Sequence, residues 1–211
     1  MHATVRRVGT DAQLQRSLLE EGFAAIPTSR LDTTGAAFAG EAAALRERAE
    51  RVAKDAFELW ADGQEFRSPV SYGIAFDTER LHDLHFGGEL RELANGLAGR
   101  DMEPTYSGYL YFEDGDFIGL HTDLPACELT FLAPVRPACP PLVVHPELAG
   151  MGPERLKELA EAVHGTPTGG TELPIATGGL VALFGGGLPH QTRPVRPGGA
   201  SVVATLCYAG N

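Results

Sequence analysis

Three side chains in this sequence combine metal-binding chemistry with a spacing that lets them meet. His121 and Asp123 lie two residues apart in the stretch FIGLHTD, and His190 follows 67 residues after Asp123, at the end of a glycine-rich stretch. Alternate residues of a β-strand point to the same face of the sheet. The imidazole of His121 and the carboxylate of Asp123 can therefore reach one ion, and a histidine from a later strand can complete the set.

Two histidines and one carboxylate on one side of a metal ion suit Fe(II) and leave its remaining positions open for other ligands. The His-x-Asp pair alone is a weak signal, because Asp123 can also cap a turn and His121 can be a hydrogen-bonded core histidine. The surroundings of the pair therefore decide its interpretation. With those surroundings, His121, Asp123 and His190 are the predicted metal ligands and the predicted catalytic centre.

Short apolar runs separated by Gly, Pro and Asp follow from Tyr106 onward. This pattern predicts about eight short strands and favours a barrel or a double-sheet jelly roll. The predicted strands are YSGYLYFE, FIGLHTD, ELTFLAPV, PPLVVHP, TELPIA, GLVALFG, HQTRPV and SVVATLCYA. One helix, PERLKELAEAVHG, interrupts them, and its Pro153 is well suited to a first helical turn.

The first hundred residues have a mainly helical pattern. One helix is predicted through AQLQRSLLEEG, with Gly22 as its stop signal, and the following FAAIPTS is a predicted strand. Residues 35–63 are rich in Ala, Leu, Glu and Arg with apolar residues at helical spacing, which predicts a second helix with Trp60 in the core. A third short helix is predicted over residues 88–97.

These patterns predict an α+β protein with N-terminal helices packed on one sheet of a jelly roll. The 211 residues, 43% of them hydrophobic, support a single domain with a real core. Residues 1–105 form its mainly helical part and residues 106–211 its jelly-roll core. A helical insertion at about 146–171 has the Gly and Pro content of a movable lid, although a plain surface helix explains it too.

Composition argues against several classes of partner. The net charge is −11 and the seventeen Lys and Arg residues are scattered, so the surface repels nucleic acid. We expect no membrane partner, because no apolar run approaches the roughly 20 residues that span a bilayer. No apolar segment typical of a signal peptide follows the N-terminus.

The cysteine content indicates the redox compartment. Three cysteines, Cys127, Cys139 and Cys207, favour a reducing cytoplasm over a disulfide framework.

The region around the three ligands resembles the superfamily of Fe(II)- and 2-oxoglutarate-dependent dioxygenases, whose fold is a double-stranded β-helix, a cupin-like jelly roll. Its members share a Tyr-bearing strand, a Gly-Asp turn, His-x-Asp and a distant His after a Gly-hydrophobic-Phe strand. Here these are YLYFEDGDFIGLHTD and ATGGLVALFGGGLPHQTRPV. LLEEGFAAIPTS and GELRELANGLAG also resemble the family's N-terminal elements. The resemblance implies Fe(II) held by His121, Asp123 and His190, with 2-oxoglutarate and O₂ as cosubstrates.

The sequence departs from the family where the distal carboxylate of 2-oxoglutarate is usually bound. The family places an Arg there, often as Arg-x-Ser, about ten residues after the distal His. Ser201 fits the Ser position, but the Arg position falls on Gly199, or on Ala200 if the register slips by one residue. Arg196 and Arg193 lie nearby and, with Ser201, are the predicted cosubstrate residues, although either arginine can instead be solvated on a loop. Arg136 from another strand is a further candidate.

Two tyrosines precede the His-x-Asp segment, and their direction depends on the turn between the strands. A two-residue turn points Tyr109 and Tyr111 away from His121, whereas a three-residue loop over 113–115 points both inward. We favour the second arrangement, because the family uses such a tyrosine for the cosubstrate or the substrate. Tyr111 is then a predicted cosubstrate ligand and Tyr109 a predicted substrate contact, with core packing as the alternative.

Two further residues are candidate substrate contacts. Thr130, on the strand after the His-x-Asp segment, can offer a neutral hydrogen bond inside the barrel. His145 is interior if PPLVVHP is a strand, and a structural role explains it equally well.

The resemblance implies an oxidoreductase that hydroxylates, desaturates or cyclises a small molecule, such as an amino acid or a natural-product intermediate. Halogenation is not expected, because Asp123 fills the metal position that a halide would need. Three alternatives stay open: an Fe(II) oxidase with the same triad and no 2-oxoglutarate, a non-redox metal-dependent cupin-type protein, and a binding module without metal. The sequence indicates neither the substrate nor the oligomeric state.

Overall fold

A computed structural model of the protein describes residues 11–27, 36–54, 58–59, 66–67, 70–76, 78–136, 140–162, 169–173 and 179–210. Its helices are Asp11–Glu21 (α1), Ala36–Leu45 (α2), Glu79–Phe86 (α3), Gly88–Ala98 (α4) and Pro153–Ala162 (α5). Its strands are Phe23–Ile26 (β1), Glu50–Lys54 (β2), Glu58–Leu59 (β3), Phe66–Arg67 (β4), Val70–Ala75 (β5), Met102–Phe112 (β6), Phe117–Ile118 (β7), Leu129–Pro134 (β8), Leu142–Val144 (β9), Thr171–Leu173 (β10), Leu180–Leu183 (β11), His190–Thr192 (β12) and Ser201–Gly210 (β13). Among these residues, no helix is both long and apolar enough to cross a bilayer.

Two antiparallel sheets enclose one cleft. The larger sheet has the strand order β1-β11-β8-β13-β6-β5-β2, and β7 also pairs with β5. The smaller sheet has the order β10-β9-β12, and a single bridge between His121 and His190 extends it. Side chains from both sheets line the cleft between them, which is the jelly-roll arrangement that the sequence predicts.

The outer face of the larger sheet carries the main core. Leu18 of α1 and Leu90 of α4 are fully buried in the same cluster as Phe131 of β8 and Tyr208 of β13. Burial of each such side chain contributes roughly 1.5–3 kcal/mol. The N-terminal helices therefore cover one face of this sheet, and its other face is left for the cleft.

The helical insertion packs behind the segment that carries His121, the first predicted metal ligand. Leu156 and Ala160 of α5 are buried against Leu120, the residue before His121. Neighbouring residues of an extended chain point to opposite sides. Because the side chain of Leu120 points outward to α5, the side chain of His121 points into the cleft.

Most of the predicted elements are present in the fold. The helices α1, α4 and α5 and the strand β1 lie where the sequence predicts them, and each of the eight predicted strand runs overlaps one of β6 to β13. The predicted helix over 35–63 is wrong, since α2 ends at Leu45 and residues 50–54 form β2. Trp60 lies outside the described residues.

Long-range contacts explain why β2 is extended despite its helical composition. β2 pairs with β5 over its whole length, and the guanidinium of Arg51 donates to both carboxylate oxygens of the buried Asp116. Ser71 of β5 also donates to this carboxylate, at 2.8 Å. Burial alone would raise the pKa of Asp116, but these hydrogen bonds hold it below its ordinary value. Pairing of this kind outweighs helix propensity and is not visible in the local sequence.

The structure also joins Cys127 to Cys207 in a buried disulfide, with 4.6 Å between the two Cα atoms. The sequence favoured a chain without such a bond, and that expectation was wrong. Eighty residues separate the two cysteines, so their spacing carries no signal. They meet because the turn Pro125–Cys127 lies against β13, where the pairing register with β6 shifts. Cys139 lies outside the described residues.

Tyr109 and Tyr111 point out of the cleft, so the inward direction predicted from the sequence was wrong. The hydroxyl of Tyr109 donates to Glu41 at 2.7 Å, and that of Tyr111 donates to the carbonyl oxygen of Ala42 at 2.8 Å. The prediction assumed a hairpin, but β7 pairs with β5 rather than with β6. The alternate residues of β6, Leu110 and Phe112, line the cleft instead.

We predict that Tyr109→Phe lowers the free energy of unfolding and leaves metal binding unchanged. Burial and the neighbouring Glu41 raise the pKa of Tyr109 far above its ordinary value, so its hydroxyl stays protonated and donates to the carboxylate. Loss of that bond should cost about 1–2 kcal/mol in chemical denaturation. Weaker metal binding at unchanged stability would instead place Tyr109 in the site.

Candidate metal centre

Two histidines are fixed side by side across the edge of the smaller sheet. The backbone N–H of His121 donates to the carbonyl of His190 at 2.9 Å, and the reciprocal bond has the same length. His190 opens β12, as predicted, whereas His121 forms an isolated bridge three residues after β7 ends. The imidazole centroids lie 4.2 Å apart.

The protonation of both imidazoles is set by backbone carbonyls. Nδ1 of His121 lies 2.9 Å from the carbonyl oxygen of Gly119, and Nδ1 of His190 lies 2.8 Å from that of Leu188. A carbonyl oxygen only accepts, so each Nδ1 carries the proton and donates it. Nε2 of each histidine therefore faces Asp123 and is the nitrogen through which it can bind a metal.

Asp123 presents one carboxylate oxygen to the Nε2 atoms of both histidines. Its Oδ1 lies 3.5 Å from Nε2 of His121 and 3.6 Å from Nε2 of His190. Its Oδ2 accepts a hydrogen bond of 2.7 Å from Thr130, and its backbone N–H donates to Gly185 at 2.8 Å. Asp123 lies outside any strand, so the two side chains converge through an irregular segment rather than through the regular strand that we expected.

The surroundings of Asp123 favour its charged form. Burial alone would raise the pKa of this carboxyl, but His190, His121 and the hydrogen bond from Thr130 hold it well below its usual range. Its side chain is 15% exposed and those of the two histidines are 6% exposed. The three groups are thus largely shielded from water and open on one side only.

The chemistry of these atoms fits a metal ion. The three ligand atoms lie within 4.8 Å of one another, and a metal cation between them could accept an electron pair from each. A transition metal about 2.1 Å from each atom would satisfy all three at once. Two nitrogens and one oxygen with an open side form the ligand set of mononuclear non-haem Fe(II) sites.

The cleft beside the triad is mainly apolar and opens to solvent. Apolar clefts with a few polar groups are typical of small-molecule sites. Hydroxyl groups interrupt the apolar lining at a few points. The lining residues that carry them are Tyr72, Tyr106, Thr130, Thr192 and Thr205.

The predicted cosubstrate residues are not brought together at the triad. Arg196 is exposed and Arg193 half-buried, and neither lines the cleft. Ser201 is buried where β13 begins, paired with Phe112 and on the same face as Val203, which does line the cleft. The cosubstrate roles predicted for these three residues stay predictions.

The two predicted substrate contacts differ in their placement. Thr130 lines the cleft, and its hydroxyl donates a hydrogen bond to Asp123. His145 follows the last residue of β9 and is not among the lining residues; its Nδ1 lies 3.0 Å from Oε1 of Glu147. Thr130 is therefore placed to orient the carboxylate of Asp123, and the substrate roles predicted for Thr130 and His145 stay predictions.

No protein-family model and no curated protein matches the sequence. Solved structures match its fold over nearly the whole chain. An oxidoreductase of the 2OG-Fe(II) oxygenase family from Burkholderia pseudomallei is 16% identical, with 99% of this chain and 94% of that chain covered and a TM-score of 0.68. The chain has the fold of the Fe(II)- and 2-oxoglutarate-dependent oxygenases. The double-stranded β-helix implied by the sequence resemblance is thereby confirmed.

Two further structures of this fold contain a metal and the cosubstrate. The epimerase SnoN, in complex with Fe³⁺, α-ketoglutarate and nogalamycin RO, is 15% identical, with 95% of this chain and 83% of that chain covered and a TM-score of 0.69. HygX from Streptomyces hygroscopicus, with nickel, 2-oxoglutarate and hygromycin B, is 14% identical, with 94% and 87% covered and a TM-score of 0.63.

Sequence reasoning missed Gly185 as a residue of the site. A Cβ added to Gly185 would lie 2.7 Å from Cγ of Asp123 and closer still to Oδ2. The backbone of the chain after β11 can approach the carboxylate so closely only without a side chain. The glycine run before His190 was the available signal, since close backbone approach is one of the reasons for such a run.

We predict that Thr130→Val weakens metal binding about 10- to 100-fold, the usual range for loss of a group that orients a metal ligand. Valine keeps the shape of threonine but leaves Oδ2 of Asp123 without its hydrogen bond. Thr130→Ser keeps the hydroxyl and should bind metal nearly as the unmodified protein does. Calorimetric titration with Co(II) measures the affinities, and equal affinity of the Val and Ser variants would contradict the assigned role.

We predict a comparable or larger loss of metal affinity for Gly185→Ala, because the added methyl group would displace the Asp123 carboxylate. Gly187→Ala is the matched control, since a Cβ there has its nearest neighbour 4.0 Å away, at the carbonyl oxygen of Phe184. The same titration compares the two variants. Similar affinities would show that the carboxylate does not need the space beside Gly185.

Proposed function

We propose that the protein is a non-haem Fe(II) oxygenase that uses 2-oxoglutarate and O₂ to oxidise a small organic molecule. The observation that carries the proposal is the convergence of Nε2 of His121, Oδ1 of Asp123 and Nε2 of His190 at the wall of an apolar cleft. The presence of a metal with 2-oxoglutarate in SnoN and HygX supports the same conclusion.

His121, Asp123 and His190 would hold the iron through these three atoms. When bound, the iron couples decarboxylation of 2-oxoglutarate to succinate and CO₂ with two-electron oxidation of the substrate by O₂. The carbonyls of Gly119 and Leu188 accept from the two Nδ1 atoms, so that Nε2 of each histidine is the nitrogen directed at the metal. Thr130 holds Oδ2 of Asp123, so Oδ1 is left for the metal. The apolar walls exclude water and orient the reactants.

The substrate of this proposed enzyme is a small molecule, as expected for an amino acid or a natural-product intermediate. The mainly apolar lining of the cleft supports this class, and the bound nogalamycin RO and hygromycin B of the two related folds support a role in natural-product tailoring. Fold likeness alone does not transfer a substrate. Hydroxylation, desaturation and cyclisation are all within the reach of such a site.

Anaerobic titration of the protein with Fe(II) and 2-oxoglutarate tests the proposal. A visible metal-to-ligand absorption should appear when the 2-oxo acid chelates the iron, and succinate should form once O₂ is admitted. We predict that Asp123→Ala abolishes both signals, because the metal loses its anionic ligand. His82→Ala, which removes an exposed histidine far along the chain from the triad, should change neither.

The outcomes separate the proposal from its rivals. Unchanged metal content and absorption in Asp123→Ala would overturn the metal assignment. Uptake of O₂ with substrate but without succinate would establish an oxidase that does not use 2-oxoglutarate. Bound Zn²⁺ without any Fe(II)-dependent turnover would identify a non-redox cupin-type protein.

We also propose a cytoplasmic location, since iron stays in its Fe(II) state most readily in a reducing compartment. The disulfide between Cys127 and Cys207 runs against this, because such bonds are rare in the cytoplasm of most organisms. Cell fractionation tests the proposal. Recovery of the protein in the cytoplasmic fraction is the expected result, and recovery only in an exported fraction would contradict it.

A further inference from the structure

The deep end of the cleft is built from apolar side chains of both sheets. Leu132 lies two residues after Thr130 on the same face of β8, about 7 Å further from the triad along the strand. Phe112 and Val203 pack with Val195 in one buried cluster, and Leu132 packs against that cluster. A ligand that reaches past the triad therefore meets hydrocarbon.

Backbone atoms and a valine side chain occupy the space beside Gly199, where the family's arginine side chain would lie. A Cβ added to Gly199 would lie 2.9 Å from both the carbonyl oxygen of Arg196 and Cγ1 of Val195. A side chain at Gly199 could not pass this contact, so the Arg-x-Ser arrangement has no room here. The side chain of Val195 is instead buried against Phe112 and Val203, which line the cleft.

Arginine is absent from the described lining of the cleft. Arg51 donates to Asp116 and Arg46 donates to Glu113 at 2.7 Å. Arg136 and Arg196 are exposed, and Arg193 is half-buried outside the lining. Within the described part of the lining, ionisable acid and imidazole groups are confined to the triad. The deep cleft thus offers burial to an apolar group and a few hydroxyls to a polar one.

We infer that this cleft binds a 2-oxo acid with its 2-oxo carboxylate group, the head, at the metal. The rest of the molecule, the tail, is uncharged and lies along the apolar floor formed by Leu132, Phe112 and Val203. A second carboxylate on the tail therefore brings no gain in affinity. The inference rests on the proposed function and narrows the class of cosubstrate that the same site accepts. Burial of hydrocarbon favours binding in proportion to the area removed from water. A carboxylate without a cationic partner loses its hydration there and gains little in return.

Two compounds with the same head test the inference on the unmodified protein. One is 2-oxoglutarate, and the other is 5-methyl-2-oxohexanoate, in which an isopropyl group replaces the distal carboxylate at similar size. Anaerobic titrations with Fe(II), followed by visible absorption, and calorimetry with Ni(II) give both dissociation constants without turnover. The neutral-tailed compound should bind at least as tightly as 2-oxoglutarate.

Tighter binding of 2-oxoglutarate by about tenfold or more would overturn the inference, because a cation must then hold its tail. Absence of the absorption with both compounds would instead show that the proposed function itself fails. The two failures are therefore distinguishable in a single set of titrations, and neither depends on the folding of a variant.

A substitution in the floor adds a test of position. Leu132→Arg introduces a cation at a half-buried residue of the lining, and Leu132→Met is the matched control of similar length without charge. Arg should raise the affinity for 2-oxoglutarate about tenfold relative to Met and should not raise that for 5-methyl-2-oxohexanoate. An unchanged ratio of the two affinities would contradict the placement of the tail beside Leu132.

Discussion

Three ligand atoms held within 4.8 Å of one another are the constraint on which this structure depends. Nδ1 of His121 and Nδ1 of His190 donate to the carbonyls of Gly119 and Leu188, so that both Nε2 atoms face Oδ1 of Asp123 at 3.5 and 3.6 Å. Two imidazole nitrogens so close to a buried carboxylate need a proton or a metal cation between them, because burial of a charge without a partner is costly. The fold must therefore hold the three groups together at this spacing.

Both sheets contribute to that restraint. The reciprocal backbone bonds between His121 and His190 fix the histidines on the smaller sheet, and Thr130 and the carbonyl of Gly185 fix Asp123 from the larger one. The helices pack on the outer face of the larger sheet and α5 packs behind Leu120. The hydrophobic core thus lies outside the cleft, so that the inner faces are free to form a ligand pocket whose polar groups are few.

The sequence predicts the parts of this site that local chemistry determines. His121, Asp123 and His190 could be identified because metal ligation demands particular residue types, and the strands of the core could be identified from their apolar runs. The directions of Tyr109 and Tyr111 could not, because they depend on which strand β7 pairs with. The extended conformation of β2 likewise depends on the contact between Arg51 and Asp116, and the disulfide between Cys127 and Cys207 depends on a register shift in β13. All of these contacts join residues that are far apart in the sequence.

Anomalous scattering at the iron edge, from crystals grown anaerobically with Fe(II), tests the metal centre most directly. We predict one peak between the two sheets, with Nε2 of His121, Oδ1 of Asp123 and Nε2 of His190 each about 2.0–2.2 Å away. The remaining positions should face the cleft. A peak elsewhere in the molecule, or ligation through either Nδ1 atom, would contradict the account, because the backbone carbonyls would then not set the protonation of the histidines.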